Sequence, residues 1–162
     1  MSESLLIDKN ATLEEQYQLI VKQVKSLLSK DDNVITNLSN FTAALKQSFD
    51  KISWIGFNLF DGEKLYLGPF QGKVACTEIK IGSGVCGTSA QKKETVVVPD
   101  VDKFPGHIAC DVESKSEIVV PIIKGEKLFG VLDLDSAEYN SFGEIDKKYL
   151  EELVNFLSKE II

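Results

Sequence analysis

Cysteine and histidine are scarce in this sequence, which has three cysteines and one histidine among 162 residues. Cys76, Cys86 and Cys110 stand 10 and 24 positions apart, so no C-x-x-C pair is present, and His107 is the only imidazole. Zinc signatures combine close cysteine pairs with further cysteines or histidines. We therefore expect no metal site, and we expect no cofactor. An odd number of cysteines also argues against a scaffold of fully paired structural disulfides.

Long apolar runs and clusters of basic residues are missing as well. No apolar run approaches the roughly 20 residues that span a bilayer, and the N-terminal MSESLLIDKN lacks the layout of a signal peptide. The 18 basic side chains are scattered and are outnumbered by 25 acidic ones, which argues against a nucleic-acid partner. We expect a cytoplasmic protein with no membrane or nucleic-acid partner.

Helical patterns occupy both ends of the chain. Apolar residues recur every three or four positions within residues 12–49, which predicts two N-terminal helices, the first capped by Thr12 and Glu15. A similar stripe within 142–160 predicts a C-terminal helix, capped by the stretch from Ser141 to Glu144. The length suits one domain, predicted to cover residues 1–162.

Residues 52–136 carry the strand patterns and one long loop. The predicted elements are a hairpin turning at Asp61-Gly62, a strand at Val74–Ile79, a short helix in VCGTSAQKK, a strand at Thr95–Val98 and a hairpin turning at Lys124-Gly125. The loop of about 16 residues from Asp100 to Lys115 has no pattern of its own, and such loops are usually functional. The order predicts an α+β fold with one antiparallel sheet sandwiched by helices.

Cys110 lies in that loop, within PGHIACD at residues 105–111. A cysteine reacts as its thiolate, and a neighbouring imidazolium or a helix N-terminus lowers the thiol pKa. His107 is therefore a candidate activator, and Cys86 falls in the first turn of the predicted short helix. For any one cysteine taken alone, an inert buried thiol is the alternative interpretation.

Three acids and a tryptophan complete the candidate site. Asp133 and Asp135 alternate with leucines in GVLDLDS, so the carboxylates point to one sheet face and the leucines to the other. Glu117 begins the preceding strand of the same hairpin, so the three acids can converge on one concave face. Trp54 can form an aromatic wall of that cavity. The alternatives are a solvated sheet face and a core tryptophan; the combination indicates a small polar ligand.

The stretches LGPFQGKVAC, GSGVCGT, VVPDVDKFPGHIACD, SEIVVPI and GVLDLDS resemble, in order and spacing, the free methionine-(R)-sulfoxide reductases, a family of stand-alone GAF domains. The resemblance covers residues 50–136, and the flanking helices agree by pattern only. It implies a GAF-like fold and an enzyme that reduces free L-methionine-(R)-sulfoxide, as opposed to a methionine residue within a protein.

The resemblance also implies a role for each cysteine. Cys110 is the expected nucleophile, which becomes a sulfenic acid as methionine leaves. Cys76 is the expected resolving thiol, which closes an intramolecular disulfide that thioredoxin or a similar dithiol reopens. Cys86 stays open as an alternative nucleophile or main resolver.

The remaining roles concern substrate binding. By resemblance Glu117, Asp133 and Asp135 hold the substrate ammonium and protonate the sulfoxide oxygen, and Trp54 walls the pocket for the methyl group. His107 is expected to tune or position the loop. A homodimer is a further expectation.

Two other functions fit parts of the sequence. A GAF module that binds a cyclic nucleotide or another small effector is the first, and here Phe142 precedes Asp146 by four positions but Lys147 stands where that signature has glutamate. A thiol-based redox sensor is the second. Neither accounts for the acids, the tryptophan and the thiols together.

Overall fold

The computed structural model describes residues 4–162. In chain order the elements are α1 (Leu13–Leu27), α2 (Val34–Ser48), β1 (Trp54–Phe60), β2 (Lys64–Gln71), β3 (Glu78–Lys80), α3 (Gly84–Lys92), β4 (Val96–Val98), β5 (Ser116–Lys124), β6 (Lys127–Ser136) and α4 (Glu144–Phe156). A π-helical turn at Leu157–Ile161 follows α4. The predicted domain of residues 1–162 stays a prediction, and its residues 1–3 lie outside the described part.

The strands form one antiparallel sheet in the order β3-β2-β1-β6-β5-β4. Helices α1, α2 and α4 pack around one apolar cluster on the first face, which includes Tyr17, Phe41, Leu45, Phe57, Leu132, Leu134 and Leu150. Helix α3 covers the second face over a smaller cluster, which includes Leu65, Val85, Ala90, Val119 and Val131. The predicted α+β fold with helices on both faces of an antiparallel sheet is confirmed.

Alternation along β6 decides which side chains reach the second face. Leu132 and Leu134 enter the larger apolar cluster, whereas Val131 and Asp133 face α3, as the two-residue period of a strand requires. The second face therefore has an apolar part under α3 and a polar part at the end of β6. The candidate site occupies the polar part.

The predicted strand at Val74–Ile79 was placed too early. The strand is Glu78–Lys80, and it pairs with the start of β2 through Leu65 and Ile79. Residues 74–76 instead form a connection outside the sheet, which carries Cys76 toward the long loop. Strand propensity at Val74 is overridden because that side chain is 89% exposed and has no face of the sheet to pack on.

Two other local predictions need correction. Helix α4 begins after Gly143, whose N–H donates to Asp146 Oδ2 at 2.9 Å, whereas the Ser141 hydroxyl bonds Ser136 Oγ at 2.7 Å. The long loop contains one 3₁₀ turn, Val101–Lys103, so it is not without regular structure. Of the helices within residues 4–162, none has the length and apolar character needed to cross a membrane.

Candidate active site

A cavity of about 60 Å³ lies between the second face of the sheet, the start of α3 and the long loop. Every residue that the sequence indicated for the site lines it: Trp54, Cys76, Cys86, His107, Cys110, Glu117, Asp133 and Asp135. Three strands, one helix and two loops therefore bring together residues that are up to 81 positions apart in the sequence, from 54 to 135.

Cys76 and Cys110 are joined by a disulfide with a Cα–Cα distance of 5.6 Å. Cys110 is exposed in the long loop, and Cys76 is half-buried in the connection between β2 and β3. The bond thus lies at the wall of the cavity, where a second molecule can reach it. An exposed disulfide of this kind can exchange with an external thiolate.

Cys86 is the remaining cysteine, a free thiol that is buried in the first turn of α3. Its Sγ lies 3.3 Å from Asp133 Oδ2 and 4.0 Å from Glu117 Oε1, and Asn58 Nδ2 donates to it at 3.7 Å. Burial, followed by the charges of Asp133 and Glu117, raises the pKa of the Cys86 thiol well above its ordinary value. The expected effect of the helix start, a stabilised thiolate, is outweighed at this position.

The three acids converge as the hairpin register requires. Glu117 pairs with Asp135 across the β5–β6 ladder. Asp133 pairs with Val119, two residues further along, so it lies on the same face of the sheet. Glu117 and Asp133 are only 6% and 8% exposed. Carboxylates that are this close together and this well shielded from water cannot all stay ionised, because desolvation and mutual repulsion both favour the neutral form.

Their pKa values follow this reasoning. Burial, then Asp133 and Asp135, raise the pKa of Glu117 well above its ordinary range. Burial raises the pKa of Asp133 to about 6, and burial together with Asp133 raises that of Asp135. The cluster can therefore hold at least one proton near neutral pH, which is the requirement for a proton donor.

His107 faces this cluster from the long loop. Its Nε2 lies 3.8 Å from Glu117 Oε2, and its side chain is only 15% exposed. The imidazole therefore neighbours a carboxyl group of the cavity in addition to sharing the loop with Cys110. This contact links the loop to β5.

Trp54 is packed between two glycines that the sequence analysis did not single out. Its indole lies against Gly56, where a Cβ would come within 2.6 Å of Phe70 Cβ and 2.9 Å of Trp54 Cζ3, and against Gly72, which has φ +136°. Its Nε1 donates to the Lys73 carbonyl at 3.0 Å. A glycine inside a strand often marks a close approach of another group, and Gly56 in SWIGFNLF carried that signal.

The sequence of this chain matches a known family and known relatives. The GAF domain family matches residues 12–161, and the chain belongs to it. The chain is 52% identical to GAF domain-containing protein A of Dictyostelium discoideum, covering 97% of this chain and 99% of that protein.

Two further relatives carry a more specific description. The chain is 44% identical to the free methionine-R-sulfoxide reductase of Saccharomyces cerevisiae, over 94% of this chain and 89% of that protein. The solved structure of free methionine-R-sulfoxide reductase from Neisseria meningitidis in complex with its substrate is 42% identical, covers 96% and 93% of the two chains and superposes with a TM-score of 0.90. Within the GAF domains, the chain belongs to the free methionine-R-sulfoxide reductase family, which confirms the resemblance and the predicted class of enzyme.

Proposed function

We propose that this protein reduces free L-methionine-(R)-sulfoxide to methionine with its own thiols and recovers them through thioredoxin or a similar dithiol. One observation carries the proposal: the Cys76–Cys110 disulfide borders a cavity whose inner wall holds buried acids. When this disulfide forms, its two thiols give up two electrons, and the buried acids supply a proton. Both are required to remove oxygen from a sulfoxide.

The first step assigns the nucleophile to Cys110. Its thiolate attacks the substrate, the S–O bond of the sulfoxide breaks with uptake of one proton, and methionine leaves as Cys110 becomes a sulfenic acid. Cys110 loses two electrons and the substrate sulfur gains them. Cys110 suits this role because it is exposed beside the cavity, whereas burial raises the pKa of Cys86.

The second and third steps return the enzyme to its reduced form. Cys76 attacks the sulfenic sulfur of Cys110, water leaves, and the observed disulfide forms. An external dithiol then attacks that disulfide, passes through a mixed disulfide and leaves oxidised. The exposure of Cys110 supports access for a protein reductant.

Substrate binding uses the opposite wall of the cavity. Glu117, Asp133 and Asp135 hold the ammonium group of a free amino acid, and a proton held by this cluster serves the sulfoxide oxygen. The indole of Trp54 contacts the methyl end of the substrate. A methionine residue within a peptide has no free ammonium, so it leaves these acids without a partner.

The test is NADPH oxidation coupled through thioredoxin reductase and thioredoxin. We expect turnover with the free R epimer and none with the S epimer or a sulfoxide-containing peptide. Cys110→Ser should abolish methionine formation, and Cys76→Ser should release at most one methionine per enzyme with thioredoxin as reductant. Loss confined to Cys86→Ser would move the nucleophile to Cys86.

Two outcomes would overturn the proposal. No turnover with any sulfoxide would redirect the search to effectors of a GAF module. Stoichiometric oxidation by peroxide, without methionine formation, would favour a redox sensor. We further propose that the protein acts in the cytoplasm as a homodimer; light scattering during size-exclusion chromatography tests the oligomeric state.

A further inference from the structure

A second arrangement of donor atoms shares the cavity with the proposed substrate site. Cys86 Sγ, a Glu117 oxygen and an Asp133 oxygen all lie within 4.8 Å of one another. These residues come from α3, β5 and β6, so no spacing pattern in the sequence connects them. The absence of close cysteine pairs argued against a zinc signature, but that argument does not cover one thiol with two carboxylates.

The separations of these atoms suit a tetrahedral cation. Zinc binds thiolate sulfur at about 2.3 Å and carboxylate oxygen at about 2.1 Å, so a tetrahedral angle puts sulfur and oxygen about 3.6 Å apart. The two S···O distances here, 3.3 Å to Asp133 and 4.0 Å to Glu117, lie on either side of that value. Shifts of a few tenths of an ångström would produce the coordination geometry.

An independent observation points to a missing ligand. Asp133 Oδ1 is buried and has no hydrogen-bond partner among residues 4–162, and the side chain is only 8% exposed. Buried carboxylate oxygens normally have a partner. Oδ2 of the same carboxylate is the oxygen beside Cys86 Sγ, so a cation there that also contacts Oδ1 would supply the missing partner.

We propose that Cys86, Glu117 and Asp133 form a binding site for a thiophilic divalent cation, Zn²⁺ or Cd²⁺, and that occupancy blocks the cavity. Binding makes metal bonds to the Cys86 sulfur and to the carboxylates of Glu117 and Asp133, and it releases the thiol proton, with any carboxyl proton, to water. A water molecule or His107 Nε2, 3.8 Å from Glu117 Oε2, supplies the fourth ligand. Asn58 Nδ2, which donates to Cys86 Sγ at 3.7 Å, orients the thiolate.

The disulfide form of the protein gives a sharp test, because Cys86 is then its only free thiol. Oxidised protein is titrated with Cd²⁺ alone, and the ultraviolet thiolate-to-Cd²⁺ charge-transfer absorption is recorded. We expect one Cd²⁺ per chain, no absorption in Cys86→Ser, and affinity weakened about tenfold or more in Asp133→Asn. Asp102→Asn, an exposed acid in the same loop as His107, serves as the control and should bind like the wild type.

Calorimetry with Zn²⁺ and Mg²⁺ completes the test. Mg²⁺ should bind far more weakly than Zn²⁺, since a hard cation gains little from a thiolate. Absence of the charge-transfer band, unchanged Zn²⁺ affinity in Cys86→Ser, or equal binding of Mg²⁺ would each overturn the proposal. These readouts need no turnover, so the metal site and the proposed reductase activity can fail separately. If both hold, Zn²⁺ should raise the apparent KM for methionine sulfoxide.

Discussion

The buried carboxyl group of Glu117 lowers the stability of the folded protein at neutral pH. Burial, then the charges of Asp133 and Asp135, raise its pKa well above the value of an unfolded chain. A group of this kind favours folding when protonated. Its contribution is fully present below the unfolded pKa, about 4.3 for glutamate, and is lost as pH rises through the raised folded pKa.

Replacing Glu117 with glutamine should therefore stabilise the protein at pH 7 and inactivate it. The amide is neutral and can donate to a neighbouring carboxylate, so we expect Tm to rise by about 2–4 °C, the equivalent of about 1 kcal/mol. The gain should shrink toward pH 5, because the unfolded chain is then less ionised at this position and loses less by folding. Thermal denaturation at both pH values measures this, with Glu126→Gln in the exposed β5–β6 turn as control. A lower Tm at pH 7 would contradict it.

Gly56 is predicted to affect substrate binding through the position of the Trp54 indole. An added Cβ would meet the indole and Phe70 Cβ, the latter at 2.6 Å, so the ring must shift from its place in the cavity wall. We expect Gly56→Ala to raise KM for the sulfoxide by about tenfold, with a smaller change in kcat. Steady-state kinetics measures both constants. Gly143→Ala, which has open space around its Cβ, is the control; an unchanged KM in Gly56→Ala would show that the indole position is unimportant.

At the scale of elements, the buried carboxylate of Asp146 links α4 to α1 and to Lys51. Asp146 Oδ1 accepts from Tyr17 of α1 at 2.6 Å and from Lys51 at 2.7 Å, while Oδ2 accepts from Gly143 N. Burial, then Asp146, raise the pKa of Tyr17, so its hydroxyl stays a donor. Asp146, part of the half-present cyclic-nucleotide signature, thus has a structural role, which weakens that reading of the sequence.

Asp146→Asn should lower the free energy of unfolding by about 3 kcal/mol, because it removes the charge that partners a largely buried lysine. Tyr17→Phe keeps that ion pair and should lower it by about 1 kcal/mol. Glu152→Gln breaks a surface pair with Lys25 and should change stability by less than about 1 kcal/mol. Urea denaturation ranks the three variants; equal effects of Asp146→Asn and Glu152→Gln would refute the argument.

Prediction from sequence succeeded where a regular pattern of polar and apolar residues reflects packing in the core. The alternation at Asp133 and Asp135 gave the correct face, because the leucines between them can only enter the larger core. It failed where tertiary contacts overrode local propensity, as at Val74, whose stretch leaves the sheet. The raised pKa of Cys86 could not be read from the sequence, since it depends on burial and on two acids that β5 and β6 bring beside α3.

At the scale of the whole molecule, the Cys76–Cys110 disulfide joins the connection after β2 to the long loop, 34 positions apart. Closing a loop of this length removes conformational entropy from the unfolded chain, equivalent to about 4 kcal/mol in the chain-entropy account. The enclosed segment contains β3, α3 and β4. Oxidation should therefore stabilise the layer that covers the cavity more than the opposite layer of α1, α2 and α4.

Comparison of the two redox forms tests this coupling. Reduction should lower Tm by several degrees, the upper bound being set by about 4 kcal/mol. Hydrogen exchange should accelerate in residues 76–110 on reduction and stay nearly constant in α1. Cys76→Ser should have the lower Tm with or without reductant, whereas Cys86→Ser, which leaves the disulfide intact, should keep the full redox response. Equal Tm values for oxidised and reduced wild type would mean that the loops around the cavity are ordered by packing alone, so that each catalytic cycle leaves the fold unchanged.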